Sequence, residues 1–163
     1  MSLHQNTALT FLYLSENKLG FEDGKALAEV LYVNKTLTHL DLSCNNLGSE
    51  GAEVLVEALC ENITLTTLNL DNNQIDSRGV KALEKVLYMN TTLASLYLSY
   101  NKFDFEGEKI LIEALSKNST LITLYLYRHD MSIEDLNNLK KILRVNSIPT
   151  SVIFSMWCYK FFY

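Results

Sequence analysis

The sequence predicts an α/β protein built as a stack of repeated strand–helix units, on three observations. Leucines recur in columns every 28 residues, in register over five consecutive units of the 163-residue chain. Within each unit, one stretch alternates apolar with polar residues, as a half-buried strand does. A later stretch carries apolar pairs four residues apart, as one face of a helix does. A single unit of this kind cannot bury its own apolar face, but a stack of them can. The composition agrees: 29 leucines against 1 proline and 6 glycines exclude collagen-like and low-complexity sequence.

The strand columns come first in each unit. Leu9, Leu37, Leu65, Leu93 and Leu121 share one column. Leu12, Leu40, Leu68, Leu96 and Leu124 form the second, and Leu14, Leu42, Leu70, Leu98 and Leu126 the third. Asn17, Asn45, Asn73 and Asn101 follow the strands, with His129 in the fifth place. Their amides are expected to turn inward and satisfy loop backbone groups that would otherwise be buried unpaired. The helical pairs are Ala26/Leu27 with Val30/Leu31, Val54/Leu55 with Ala58/Leu59, and Leu83 with Val86/Leu87. Gly51, Gly79 and Gly107 read as turns into the helices, and Ser132 with Asp135 as a capping box for the fifth.

Each unit closes on Asn34, Asn62, Asn90, Asn118 or Asn146. Asparagine suits a helix end because it tolerates the left-handed region. The first four also head Asn-x-Thr sequons, but the repeat explains both columns, and glycosylation is not expected. Residues 1–6 are the end of a partial repeat, and residues 7–147 hold five repeats. Residues 148–163 carry a degenerate sixth strand, with Pro149, Val152 and Phe154 in the leucine places, and then an apolar tail. No capping segment shields the first layer, so self-association through uncapped ends is expected.

Several function classes are excluded. A net charge of −5 offers no basic excess to displace counterions from nucleic acid. Cys44, Cys60 and Cys158 form neither a disulfide framework nor, with the three histidines, a zinc spacing. No catalytic motif or phosphate-cradling glycine loop occurs, so neither cofactor, metal nor enzymatic activity is expected. No apolar run reaches the ~20 residues of a membrane helix. Residues 1–20 lack the pattern of a signal peptide, and the expected compartment is the cytoplasm.

The pattern L-x-x-L-x-L-x-x-N, typified by residues 34–48, resembles the leucine-rich repeat family in its ribonuclease-inhibitor-like subtype. It is similar to the repeats of NOD-like receptors, tropomodulin-like proteins and Ran GTPase-activating proteins. The resemblance implies a right-handed horseshoe arc, with parallel strands on the concave face and helices on the convex face. It implies a protein-binding module that recognises its partner on the concave face. It also implies two alternatives: a GTPase-activating protein using Arg78, which lies on a strand-to-helix loop, or a fragment of a NOD-like receptor sensor.

Alternation turns the strand leucines inward and the residues between them outward. The outward columns give a candidate surface of Tyr13, Asp41, Asn69, Asp71, Tyr97, Tyr100, Tyr125, Tyr127 and Arg128. Five of these, Tyr97, Tyr100, Tyr125, Tyr127 and Arg128, gather toward one end, and tyrosine and arginine are the residues enriched at interface hot spots. On the convex side, Glu50, Glu53 and Glu57 stand one repeat from Arg78, Lys81 and Lys85, which predicts ion pairs across the groove between two helices.

Overall fold

The computed structural model describes residues 6–126 and the backbone of Val152–Ile153. Six parallel strands form one sheet in sequence order: β1 (Phe11–Tyr13), β2 (His39–Asp41), β3 (Thr67–Asn69), β4 (Ser95–Tyr97), β5 (Thr123–Tyr125) and β6 (Val152–Ile153). Four helices cross between the first five strands: α1 (Phe21–Val33), α2 (Gly48–Glu61), α3 (Ser77–Met89) and α4 (Phe105–Leu115). Every strand pairs at a register of 28, so Leu12, Leu40, Leu68, Leu96 and Leu124 stand side by side. Val152 follows opposite Leu124. The 28-residue period is thus the length of one turn of the solenoid, with the strands on its concave face and the helices on its convex face.

The leucine columns form one continuous core with the buried helix faces, joined by Leu47, Ile75 and Phe103 from the loops. Two asparagine ladders hold the loops on either side of it. In the first, the Asn101 Oδ1 accepts from the backbone N–H groups of Asn73 and Ile75, both at 3.0 Å. Its Nδ2 donates to the carbonyls of Leu70 and Leu98. Asn45 and Asn73 bond in the same manner, and all three are buried. The inward turn expected of this column is present at Asn45, Asn73 and Asn101, whereas Asn17 is exposed.

The second ladder corrects one expectation. Asn34, Asn62 and Asn90 end their helices with φ between −73° and −80°, in extended backbone and not in the left-handed region. Their side chains explain the column instead. The Asn90 Oδ1 accepts from the N–H groups of Thr92 and Leu93, and its Nδ2 donates to the carbonyls of Leu59 and Asn62 one repeat earlier. Nδ2 is the atom a glycan would occupy, and here it is buried and engaged. The left-handed residues are elsewhere, at Glu16, Cys44, Asn72 and Tyr100 just before the first ladder, and at Lys18, Gln74 and Gly48 after it.

Two further expectations change. Gly24, Gly51, Gly79 and Gly107 lie inside the first turn of their helices and not in the turn before them. Their role is close approach: a Cβ on Gly79 would stand 2.5 Å from Ile75 and 3.2 Å from the Ser49 backbone. The ion pairs expected across the α2–α3 groove do not form among the described residues. Arg78 binds Asp76 instead, at 3.1 Å, within its own loop. Asp76 caps α3 by accepting from the Arg78 N–H, and Ser49 Oγ donates to it at 2.6 Å. That hydroxyl, ahead of the arginine, holds the Asp76 carboxyl down to about 2. Ser77 and Asp104 repeat the arrangement at α4. Exposed pairs across a groove gain too little to fix long side chains, whereas a cap satisfies helix N–H groups as well.

Candidate partner-binding face

Strands β2 to β5 are three residues long, so each offers two outward side chains flanking one buried leucine. Parallel pairing then lines those side chains up across the sheet. Tyr13, Asp41, Asn69, Tyr97 and Tyr125 make one row, opposed pairwise in register. Phe11, His39, Thr67, Ser95 and Thr123 make the row beside it. Neighbouring strands are ~4.8 Å apart, and aromatic residues adjacent in a row are therefore spaced for stacking.

They do stack, at both ends. The rings of Tyr97 and Tyr125 lie 4.5 Å apart and 7° from parallel. Phe11 and His39 stack at 4.2 Å, with Tyr13 beyond Phe11 at 6.5 Å. Tyr13 is the most exposed of these at 68%, and Tyr100 stands 49% exposed at the end of the tyrosine cluster. The tyrosine end was legible from the outward columns. The Phe11–His39 pair was not singled out, although both residues occupy an outward column one strand apart.

Between the aromatic ends the face is polar. Asp41 Oδ1 accepts from the backbone and hydroxyl of Ser43. Asn69 Oδ1 accepts from the N–H of Asp71. Asp71 is half-buried at the C-terminal edge of the sheet and accepts from the Ser99 N–H at 2.6 Å. Burial pushes its carboxyl up to about 6, with the nearby Asp41 charge adding to the rise and the Ser99 hydrogen bonds opposing it. Burial also raises the Tyr97 hydroxyl, which sits near both Tyr125 and Asp71. Tyr97, Tyr125 and Asp71 thus form one local group, with Asp41, Asn69 and Tyr13 extending it along the row. Tyr127 and Arg128 lie outside the described residues, as do His129 and the Ser132–Asp135 capping box. No group of histidine, cysteine and carboxylate side chains able to hold a metal ion occurs among the described residues, and no helix among them is long and apolar enough to cross a membrane.

Comparison with known proteins agrees with this architecture. Residues 5–28, 33–56 and 61–83 match a family model described as Leucine Rich repeat. No curated protein sequence matches the chain. Among solved structures, the actin-binding site 2 of leiomodin-1 aligns with a TM-score of 0.73 at 22% identity, over 89% of this chain and 84% of that one. The tropomodulin C-terminal domain of Caenorhabditis elegans aligns with a TM-score of 0.71 at 17% identity, over 89% of both chains. At these identities the likeness is one of fold. By its repeats and its parallel-strand solenoid, the chain has the leucine-rich repeat fold.

Proposed function

We propose that this protein is a non-catalytic binding module that takes a protein partner on its concave face, at the end held by Tyr97 and Tyr125. The observation that carries this reading is their stack, 4.5 Å between ring centroids, standing outside the leucine core with half-buried Asp71 close by. Tyrosine offers a large contact area for few lost torsions and a hydroxyl to orient the partner. Tyr100 enlarges the cluster at its exposed edge; Tyr127 and Arg128, next in the sequence, belong to the same proposal. Tyr13, Asp41, Asn69 and Asp71 supply the rest of the footprint. The uniform 28-residue repeat supports the ribonuclease-inhibitor-like subtype, working in the cytoplasm. The Arg78 alternative gains no support from a guanidinium bound to Asp76 through both Nε and Nη2.

The leiomodin-1 structure is named as an actin-binding site, so actin is the first partner to test. The experiment is affinity capture from cell lysate, with purified actin in a parallel arm. Wild type is set beside Tyr97→Ala/Tyr125→Ala and Glu53→Lys/Glu57→Lys. The tyrosine variant should fold and lose ~2 kcal/mol or more of binding, as hot-spot pairs do; the helix variant should keep its partner. A partner lost by the helix variant and kept by the tyrosine variant would move the site to the convex face.

A further inference from the structure

The concave face has a charge bias that its neighbours in the fold do not share. Its described outward columns contain three charged side chains, Glu16, Asp41 and Asp71, and every one is acidic. No lysine or arginine appears in those described columns, although the described chain carries nine such residues on its helices and loops; Arg128, which the sequence places next in the last column, lies outside the described residues.

The tyrosine stack adds direction to the bias. Tyr97 and Tyr125 are register partners on β4 and β5, and their rings lie parallel at a separation close to that of the strands. The stack therefore runs across the sheet, so Tyr125 covers one face of Tyr97 and the other is turned toward β3. On β3 the register partner of Tyr97 is Asn69, and Asp71 follows two residues on, bonded to the backbone of Ser99 beside the same ring. The register thus sets the Asn69 amide and the Asp71 carboxylate on the strand beside Tyr97. Aromatic faces are electron-rich and attract cations, and a carboxylate accepts the forked N–H groups of a guanidinium. Both groups ask for the same ligand chemistry. The site is also fixed in place: the Asp71 carboxylate is held by the Ser99 N–H and Tyr97 by its stack, so little ordering remains to be done on binding.

We propose that the concave-face partner presents a basic segment, with an arginine seated between the free face of Tyr97 and the carboxylate of Asp71. This rests on the concave-face reading above and names the chemistry of its partner. Asp41 and Glu16 continue the acidic track toward β1 and receive the flanking basic residues.

The test uses the full chain and two synthetic dodecapeptides, one alternating glycine with arginine and one alternating glycine with glutamate, titrated at physiological ionic strength so that loose charge attraction is screened. Binding is followed by calorimetry and mapped by NMR on the tyrosine ring and backbone signals. The arginine peptide should bind and shift the signals of Tyr97, Tyr125 and Ser99, and the glutamate peptide should not bind. Asp71→Asn and Tyr97→Leu should each weaken the arginine peptide by about tenfold, as truncating one partner of a close charge contact does. Glu53→Gln/Glu57→Gln removes two convex charges and should leave the affinity within twofold. Equal losses from the convex and Asp71 variants would mean attraction to net charge alone, and would overturn the proposal. Binding of the glutamate peptide at Tyr97, insensitive to Asp71→Asn, would overturn the basic partner while leaving the concave face as the site. Shifts confined to the helices would overturn both.

Discussion

The first and third repeats carry the same residue types in the same columns, and the structure treats them differently. Leu65, Leu68 and Leu70 of the third repeat are fully buried, whereas Leu9, Leu12 and Leu14 of the first are only half-buried against the core. Asn73 is fully buried and bonds loop backbone on both sides, while Asn17 is exposed and its amide reaches only the Ser15 carbonyl. The cause is position in the stack. An inner repeat is covered by neighbours on two sides, and the first described repeat has one on a single side. Stability in such a fold is a sum over units and their interfaces, so a column has no single energetic worth.

Seven substitutions, in four tests, probe this difference. The largest effect is expected at the leucines. Leu68→Ala should cost ~2–5 kcal/mol, because it opens a cavity in fully packed surroundings. Leu12→Ala should cost roughly half as much, since less of its surface leaves water on folding. Denaturant midpoints at constant slope would measure both, and equal losses would refute the end effect.

The asparagines come next. Asn73→Ala should destabilise by ~1–3 kcal/mol, removing the amide's bonds to the Leu42 and Asp71 carbonyls and the acceptor of the buried Leu47 N–H. Asn17→Ala should fall within ~0.5 kcal/mol of wild type, as surface changes do. Urea titrations of the two variants would decide it.

A similar magnitude is expected where helices meet most closely. Gly79→Ala should cost ~1–3 kcal/mol through overpacking against Ile75 and the α2 backbone. Gly48→Ala meets nothing within 4 Å but holds φ at +64°, and should cost only the ~1–2 kcal/mol of a left-handed alanine. A thermal melt in which Gly48→Ala is the worse of the two would show that backbone conformation, not helix approach, governs these glycines.

The last effect is a gain, on the proposed binding face. Asp71 is held with its pKa raised to about 6 from 3.8, so the folded state takes up its proton before the unfolded state does. The charged form is therefore a cost that is full above pH 6 and vanishes as pH falls toward 4. Asp71→Asn keeps the oxygen that accepts from Ser99 and should stabilise the protein by ~1–2 kcal/mol at pH 7, a figure reduced for the solvent that reaches this half-buried group. Near pH 4 the variant and wild type should melt together. A gain that is the same at both pH values would mean that the carboxylate is not strained. Stability withheld at one residue of a binding face is the pattern expected where function and folding compete.

The repeat was legible in the amino-acid order alone. A 28-residue period in three leucine columns leaves one arrangement in which every apolar face finds a neighbour, and register follows because a slip of one residue would turn the leucines out of the core. The buried asparagine ladder was legible for a related reason: a polar column that recurs with the core must have partners in it. Tertiary structure decided what depends on the next repeat. Asn34, Asn62 and Asn90 end helices through side-chain bonds to the preceding unit, and their own backbone stays extended. Arg78 takes Asp76 in its own loop over the glutamates across the groove, because a capping carboxylate was already fixed beside it. The tyrosine stack and the strained Asp71 likewise exist only across strands. Columns say which residues are neighbours, but distances, exposure and charge environment arise only when the neighbours are brought together.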